Sequence, residues 1–333
     1  MDPASTVGDA MNPRVGRLLA CCICVLAAAP SVLAQGRFAL IVSGASGGSP
    51  YAERYDAWRS ALVSSLRSDL YFQEKDLFVL AETPGPGVGR ASREGVKQAI
   101  ATLAERLRDD ATLLIVLMGH GTFDGIDAKF NLVGPDLDAN EWHSLLEPLP
   151  GRIVFTNTTS ASFPFAERLA GHGRIVITAT DGPEQRYETQ FAAFFGEAFK
   201  VETSDFDKDG RVSVWEAFTG ASVKVRRWYE QQGRLPTERS ILDDTGDGVG
   251  KEAGEAGLDG TIARRTFLDR LVGQGRVSAR LLAALLERRA TLEREVNELK
   301  AGFARLATDT YAAELERLLL ELARVSREIR SRP

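Results

Sequence analysis

Cysteine is nearly absent: the 333 residues contain three, Cys21, Cys22 and Cys24. A disulfide framework is therefore excluded from the body of the chain, and so is a zinc site built of thiolates. Histidine is equally scarce, and His120, His143 and His172 show no metal-ligand spacing. The last two sit in polar helix and loop contexts and read as exposed. Neither charge sign dominates: 41 Lys+Arg against 46 Asp+Glu leaves a net charge of −5. That balance excludes a generally basic nucleic-acid binder. At 44% hydrophobic and 26% charged residues, the composition also excludes disorder of the whole chain. No internal repeat or low-complexity tract stands out.

The apolar run at the start is short. Arg14 and Arg17 precede the uncharged stretch Leu18 to Ala34, which closes Ser31-Val32-Leu33-Ala34 before Gln35. A basic segment, an apolar segment and a small-residue cleavage site together describe a secretory signal over residues 1–34. A spanning helix needs roughly 20 apolar residues, so no stable membrane span is expected after cleavage; an uncleaved anchor is the alternative. Cleavage would leave 333 − 34 = 299 residues without cysteine, secreted or periplasmic. Their net charge stays at −5, because Asp2, Asp9, Arg14 and Arg17 leave together.

From Arg37 short apolar runs alternate with amphipathic stretches. Phe38–Val42, Leu77–Leu80, Leu113–Leu117, Ile153–Phe155 and Ile175–Ile177 read as buried strands. Tyr51–Leu70 and Ser92–Arg108 read as helices, the second with Val96, Ile100, Leu103 and Leu107 on one face. Continuous apolar strands separated by helices predict an α/β fold with a mostly parallel sheet flanked by helices, over residues 35–200. Ligands of such sheets sit beyond the carboxyl ends of the strands. An acidic-loop segment, 201–260, follows. Over 261–333, Leu285, Leu292, Val296, Leu299, Phe303 and Leu306, then Tyr311, Leu315, Leu318, Leu322, Val325 and Ile329, recur at heptad-like spacing. They predict a C-terminal helical hairpin, which either packs on its own domain or serves self-association or a partner.

Asp205 to Glu216 fit the twelve-position EF-hand loop. Asp205, Asp207 and Asp209 supply carboxylates at positions 1, 3 and 5, and Gly210 permits the sharp turn at position 6. Arg211 offers its backbone carbonyl at 7, Ser213 a water-holding hydroxyl at 9, and Glu216 a bidentate carboxylate at 12. Ca2+ needs six to eight hard oxygens, and this spacing wraps them around one ion. Phe191, Phe195 and Phe199 before the loop, and Val214, Phe218 and Val225 after it, are expected on flanking helices. A second acidic loop from Asp243 through Asp247 fails the pattern, with Gly250 at position 8 and Gly254 at position 12. It is either an irregular calcium site or a plain Asp-Gly turn.

The third strand ends Gly119-His120-Gly121, and the fourth runs into Asn157-Thr158-Thr159-Ser160-Ala161-Ser162. Adjacent strand ends presenting a histidine and a hydroxyl are what acyl transfer requires, although a strand-end histidine is often structural. Gly44-Ala45-Ser46-Gly47-Gly48 lacks the Walker lysine and dinucleotide spacing, and reads as a loop at the same edge.

The arrangement from about Arg37 to Phe199 resembles the caspase- and legumain-like cysteine peptidases. The matching pieces are Phe38 through Gly47, Tyr51…Asp56, the strand into Gly119-His120-Gly121, Phe130 through Asp136, and Ile153 through Asn157. The resemblance implies that His120 is the catalytic histidine and that the Gly121 amide helps form an oxyanion hole. It aligns the family's Ala-Cys-x-Ser-Gly with Thr159-Ser160-Ala161-Ser162-Phe163, which puts Ser160 where the family has its cysteine. A serine hydroxyl is far less acidic than a thiol and needs a well-oriented base, usually with a third group behind it. Asp124 is near in the chain but not an obvious orienting carboxylate. Ala52 replaces the arginine of the legumain-like Tyr-Arg-His-Gln-Ala-Asp pattern, so cleavage after Asn is not expected. Three readings stand: a degenerate peptidase-like protein that binds a peptide or protein partner, a hydrolase using Ser160 with His120, and a calcium-binding structural scaffold.

Overall fold

Alternate residues of the central strands feed two separate cores, and this decides the architecture. In β1 (Arg37–Ser43), Ala39 and Ile41 join one buried cluster while Leu40 and Val42 join another. The chain is described by a computed structural model over residues 36–185, 187–255, 257–269, 276–301 and 308–330. The expected signal segment, 1–34, lies outside the described residues, as do Phe303 and Leu306 of the expected hairpin. The described residues fall in one compact unit. Among the described residues no helix is long and apolar enough to cross a membrane.

After β1 come α1 (Ser49–Ser68), β2 (Leu77–Ala81), β3 (Gly89–Arg90), α2 (Arg93–Arg106) and β4 (Thr112–Met118). Pro50 sits in the first turn of α1, where its missing N–H has no helical partner to lose. Ser92 caps α2 by accepting from the Gly95 amide at 3.2 Å. A small antiparallel sheet leaves the carboxyl end of β4: β5 (Gly121–Phe123), β6 (Ala128–Phe130) and β7 (Leu137–Asp138). The chain continues through α3 (Ala139–Leu146), β8 (Arg152–Asn157), α4 (Pro164–Leu169), β9 (Arg174–Thr178), α5 (Phe191–Phe195), α6 (Val201–Ser204) and α7 (Val214–Gln231). β10 (Ile241–Asp243), β11 (Lys251–Glu252), α8 (Arg276–Ala301) and α9 (Thr308–Arg330) complete it.

The main sheet has eight strands in the order β11-β10-β9-β8-β4-β1-β2-β3. Pairings among β1, β2, β4, β8 and β9 are parallel, as expected from their apolar runs; the unexpected β3 also pairs parallel, while β10 and β11 pair antiparallel. Segment 201–260, expected as a unit of its own, thus supplies two strands to the main sheet. One face is covered by α1, α5 and α7 through Leu62, Leu66, Phe191, Phe195 and Phe218. The other is covered by α2, α3 and α4 through Val96, Ile100, Leu103, Trp142 and Phe165. Burying side chains of this size on both faces is worth roughly 1.5–3 kcal/mol each.

The connection from β1 runs through α1 to β2 on one side. The connection from β4 runs through α3 to β8 on the other. Directions reverse between neighbours β1 and β4, so a crevice opens beyond their carboxyl ends. α8 and α9 pack on each other through Leu292, Val296 and Leu318, a core separate from the two that flank the sheet. Arg288 ion-pairs with Glu321 between them.

Candidate functional site

The Gly44–Gly48 loop follows β1, and Gly119-His120 follows β4, so both stand at the reversal. The Gly44 amide donates to the Met118 carbonyl at 2.9 Å, and the Ala45 amide donates to the Asn131 carbonyl at 3.0 Å. The Ser46 amide donates to Glu82 at 3.1 Å, which holds the loop against the end of β2. His120 enters this crevice half-buried, and its Nε2 lies 3.0 Å from the Ser46 carbonyl oxygen. A carbonyl only accepts, so this contact makes Nε2 the protonated nitrogen. The Tyr55 hydroxyl lies 3.2 Å from Nε2 and 3.4 Å from Nδ1. Tyr51 packs its ring edge-on to the imidazole, with centroids 4.7 Å apart.

Tyr51 and Tyr55 reach the same histidine because they are four residues apart on α1. Neither was read from the sequence as a site residue, although that spacing is visible in it; the Ser46 carbonyl and Glu188 had no such signal. Tyr55 is 2% exposed. Burial pushes its phenol well above the usual range, and the charge of Glu188 and the neighbouring Tyr51 push the same way. Tyr55 is therefore a neutral donor at any physiological pH. Glu188 in turn ion-pairs with Arg54.

Ser160 lies half-buried just beyond β8, and its carbonyl accepts from the Thr180 hydroxyl at 3.2 Å. A Cβ on Gly121 would lie 2.5 Å from Thr159 Oγ1 and 3.1 Å from the Ala161 Cβ. Only a glycine lets β5 sit this close to the two residues that flank Ser160. Phe123 and Phe163 close the same contact edge to face at 5.0 Å. The structure thus brings the His120-Gly121 backbone and the Ser160 turn together. Among the described residues, however, no hydrogen bond joins His120 to Ser160. Asp124 does not bridge them either: it is exposed in the β5–β6 turn and accepts from the Ile126 and Asp127 amides at 2.9 and 2.8 Å. Those two bonds lower its pKa. Of the remaining histidines, His143 is half-buried rather than exposed, since Arg174 on β9 donates to its Nδ1 at 3.3 Å. His172 is exposed.

In the loop after α6, oxygens of Asp205, Asp207 and Asp209 come within 4.8 Å of one another. Lys208 (φ 62°) and Gly210 (φ 85°) take left-handed conformations, which curls the loop around the carboxylates. Asp205 accepts from the amides of Asp209 and Gly210, both at 3.0 Å. Glu216 folds back over the loop: Oε1 accepts from the Phe206 amide at 3.0 Å, and Oε2 accepts from the Ser213 amide and hydroxyl, both at 2.9 Å. The same carboxylate completes a capping box with Ser213 at the start of α7. The residues fit a hard cation: carboxylate oxygens predominate, and Asp209 and Glu216 are buried. Burial and the nearby Asp207 raise Asp209 to about 7, and burial raises Glu216 as well. The Arg211 guanidinium turns away to Asp269 and the Phe267 ring, which leaves only its backbone to the loop. Phe191 and Phe195 lie on α5 and Phe199 beyond its end, so the expected entering helix is broken into α5 and α6.

The second acidic loop is knotted by its own backbone. Asp243 accepts from the amides of Thr245, Gly246 and Gly248, and Asp244 from those of Gly260, Ile262 and Ala263. The loop lies at the amino-terminal edge of the parallel strands, beyond the pairing of Asp243 with Val176.

No family model matches the sequence. No curated protein matches it. Among solved structures, the chain is similar to the Drosophila initiator caspase Dronc, at 12% identity and a TM-score of 0.41, over 65% of this chain and 81% of that one. It is also similar to protein GSU0716 from Geobacter sulfurreducens, at 13% identity and a TM-score of 0.40, over 62% of this chain and 92% of that one. Both likenesses are distant, and the fold is characterised by its own strand order.

Proposed function

We propose that this is an exported, calcium-binding protein with a caspase- or legumain-like domain that no longer hydrolyses peptides and uses the crevice to bind a peptide or protein partner. One observation carries the reading: the His120 ring is engaged by the Ser46 carbonyl and the Tyr55 hydroxyl, and by nothing on Ser160. A serine must be deprotonated by a base aimed at it. With Nε2 donating to a carbonyl, the basic nitrogen is Nδ1, whose hydrogen-bond contact among the described residues is the Tyr55 hydroxyl. Tyr51 and Trp58 are half-buried along α1, and Arg54, paired with Glu188, lies over both rings. Half-buried rings beside the crevice suit apolar side chains of a bound partner.

A peptide-library digest of the wild type, Ser160→Ala and Ser160→Cys tests this. Silence in the first two is the expected result; cleavage in Ser160→Cys alone means that the site is intact but disarmed, since a thiol ionises far more readily than a hydroxyl. Cleavage by the wild type that is lost in Ser160→Ala overturns the reading in favour of a serine hydrolase. Silence in all three leaves a calcium-binding scaffold.

Asp205, Asp207, Asp209 and Glu216, with the Arg211 carbonyl and a water on Ser213, would hold Ca2+, which supplies the positive charge that lets buried carboxylates stay ionised together. Calorimetric titration of calcium is expected to give heat and a rise in melting temperature. Absence of both sinks the metal assignment.

A further inference from the structure

The acidic loop already receives one cation, and it comes from the far end of the chain. Arg289 on α8, 80 residues beyond Asp209, reaches Asp207 Oδ2 at 2.7 Å and Asp209 Oδ2 at 3.5 Å. Its side chain is 12% exposed and that of Asp209 1%. The oxygens it selects are significant. Asp207 Oδ1 accepts from the Asp209 amide and Asp209 Oδ1 from the Arg211 amide, at 3.1 and 2.9 Å. The two Oδ2 atoms carry no amide bond, and Arg289 reaches both. A guanidinium and a divalent ion a few ångströms apart in a partly buried site repel strongly. They cannot share these atoms.

Among the described residues, few other polar contacts tie α8 to the α/β body. The core of Leu292, Val296 and Leu318 is internal to the pair. Among the described residues, the other hydrogen bond from the body to α8 is Arg265 Nη2 to the Ala290 carbonyl at 3.3 Å. Arg264, stacked on Trp215, adds an electrostatic attraction to Glu293.

We infer that Arg289 is a latch: a divalent cation entering the loop displaces it and frees α8 and α9 from the body. The inference rests on the calcium reading above and adds to it an internal competitor and a mechanical output. Because the competition is for the same oxygens, removing Arg289 strengthens metal binding.

The test is calcium titration and amide hydrogen exchange on the full chain, comparing wild type, Arg289→Gln and Arg289→Lys. Arg289→Gln is expected to bind calcium about fivefold more tightly, the equivalent of an ion pair at the strong end of the surface range. Arg289→Lys keeps the charge and is expected to stay near the wild type. Exchange along residues 284–300 is expected to quicken on adding calcium to the wild type, and to be fast without calcium in Arg289→Gln. The wild-type arm needs no variant to fold. Calcium binding with equal or weaker affinity in Arg289→Gln, or with exchange unchanged in the wild type, overturns the latch and leaves the metal site standing. No heat in any of the three proteins overturns the metal site and the latch together.

Discussion

Replacing Gly44 by alanine tests how the crevice is built. A Cβ at this position would lie 2.2 Å from the Asn131 carbonyl oxygen and 2.9 Å from Phe130 Cζ, against 3.4 Å or more for ordinary contact. The loop must therefore retreat by about 3.4 − 2.2 = 1.2 Å. The obstructing oxygen cannot turn aside, because it accepts from the Ala45 amide, and Phe130 is fully buried. Forced overpacking of this kind costs about 1–3 kcal/mol, and two immobile neighbours place Gly44→Ala near the upper end. Gly47→Ala is the control in the same loop. Its φ of +71° makes any side chain strained, but a Cβ there meets nothing within 4 Å. The left-handed conformation alone costs roughly 1–2 kcal/mol. Urea unfolding gives the two stabilities, and the 15N resonances of His120 report its bond to the Ser46 carbonyl. Gly44→Ala is expected to lose about 3 kcal/mol and to shift those resonances, while Gly47→Ala loses less and leaves them in place. A loss below about 0.5 kcal/mol for Gly44→Ala, with His120 unchanged, refutes the packing described for this edge.

Further consequences follow for the rest of the molecule. Glu238 accepts from the Gln190 and Phe191 amides at 2.7 and 3.2 Å. Burial, reinforced by Glu188 and opposed by those amides and the Tyr229 hydroxyl, raises it from 4.5 to about 7. A raised acid holds its proton in the folded state, so its contribution is complete below pH 4.5 and is lost as pH rises through 7, a change of roughly 3 kcal/mol. Denaturant unfolding between pH 4 and 8 should show that Glu238→Gln gains stability relative to wild type over this window; parallel curves contradict it. Ser92→Ala removes the cap of α2 and is expected to cost about 1 kcal/mol in the same assay, whereas a neutral result means that the Gly95 amide finds water instead. Leu318→Ala empties part of the small core between α8 and α9. It should lose about 2–5 kcal/mol of local stability, read as faster exchange in those helices while α2 and β4 keep their protection.

Much of the parallel sheet was legible in the sequence. Phe38–Val42 and Leu113–Leu117 are apolar without interruption, and only a strand covered on both faces buries every residue of such a run. β10 and β11 were not legible, because Ile241–Asp243 and Lys251–Glu252 are too short to show a period. The small sheet of β5, β6 and β7 has the same brevity. His120 was singled out from its place at a strand end, whereas Gly121 and Ser160 were named through the resemblance to caspase- and legumain-like peptidases. The Ser46 carbonyl was not, since a backbone oxygen carries no residue-type signal.

By itself, then, the sequence determined the five long apolar strands and the amphipathic helices α1 and α2, that His120 follows one of those strands, and that carboxylates repeat around Gly210. Those properties depend on residue type and spacing over a dozen positions or fewer. The tertiary structure alone decided the lateral order of the strands, which opens the crevice between β1 and β4. It also decided which groups the His120 nitrogens meet, and that Arg289 sits on the acidic loop. The physical reason is common to all three: each is a contact between segments far apart in the chain, fixed by how crossovers and helices pack and not by local periodicity.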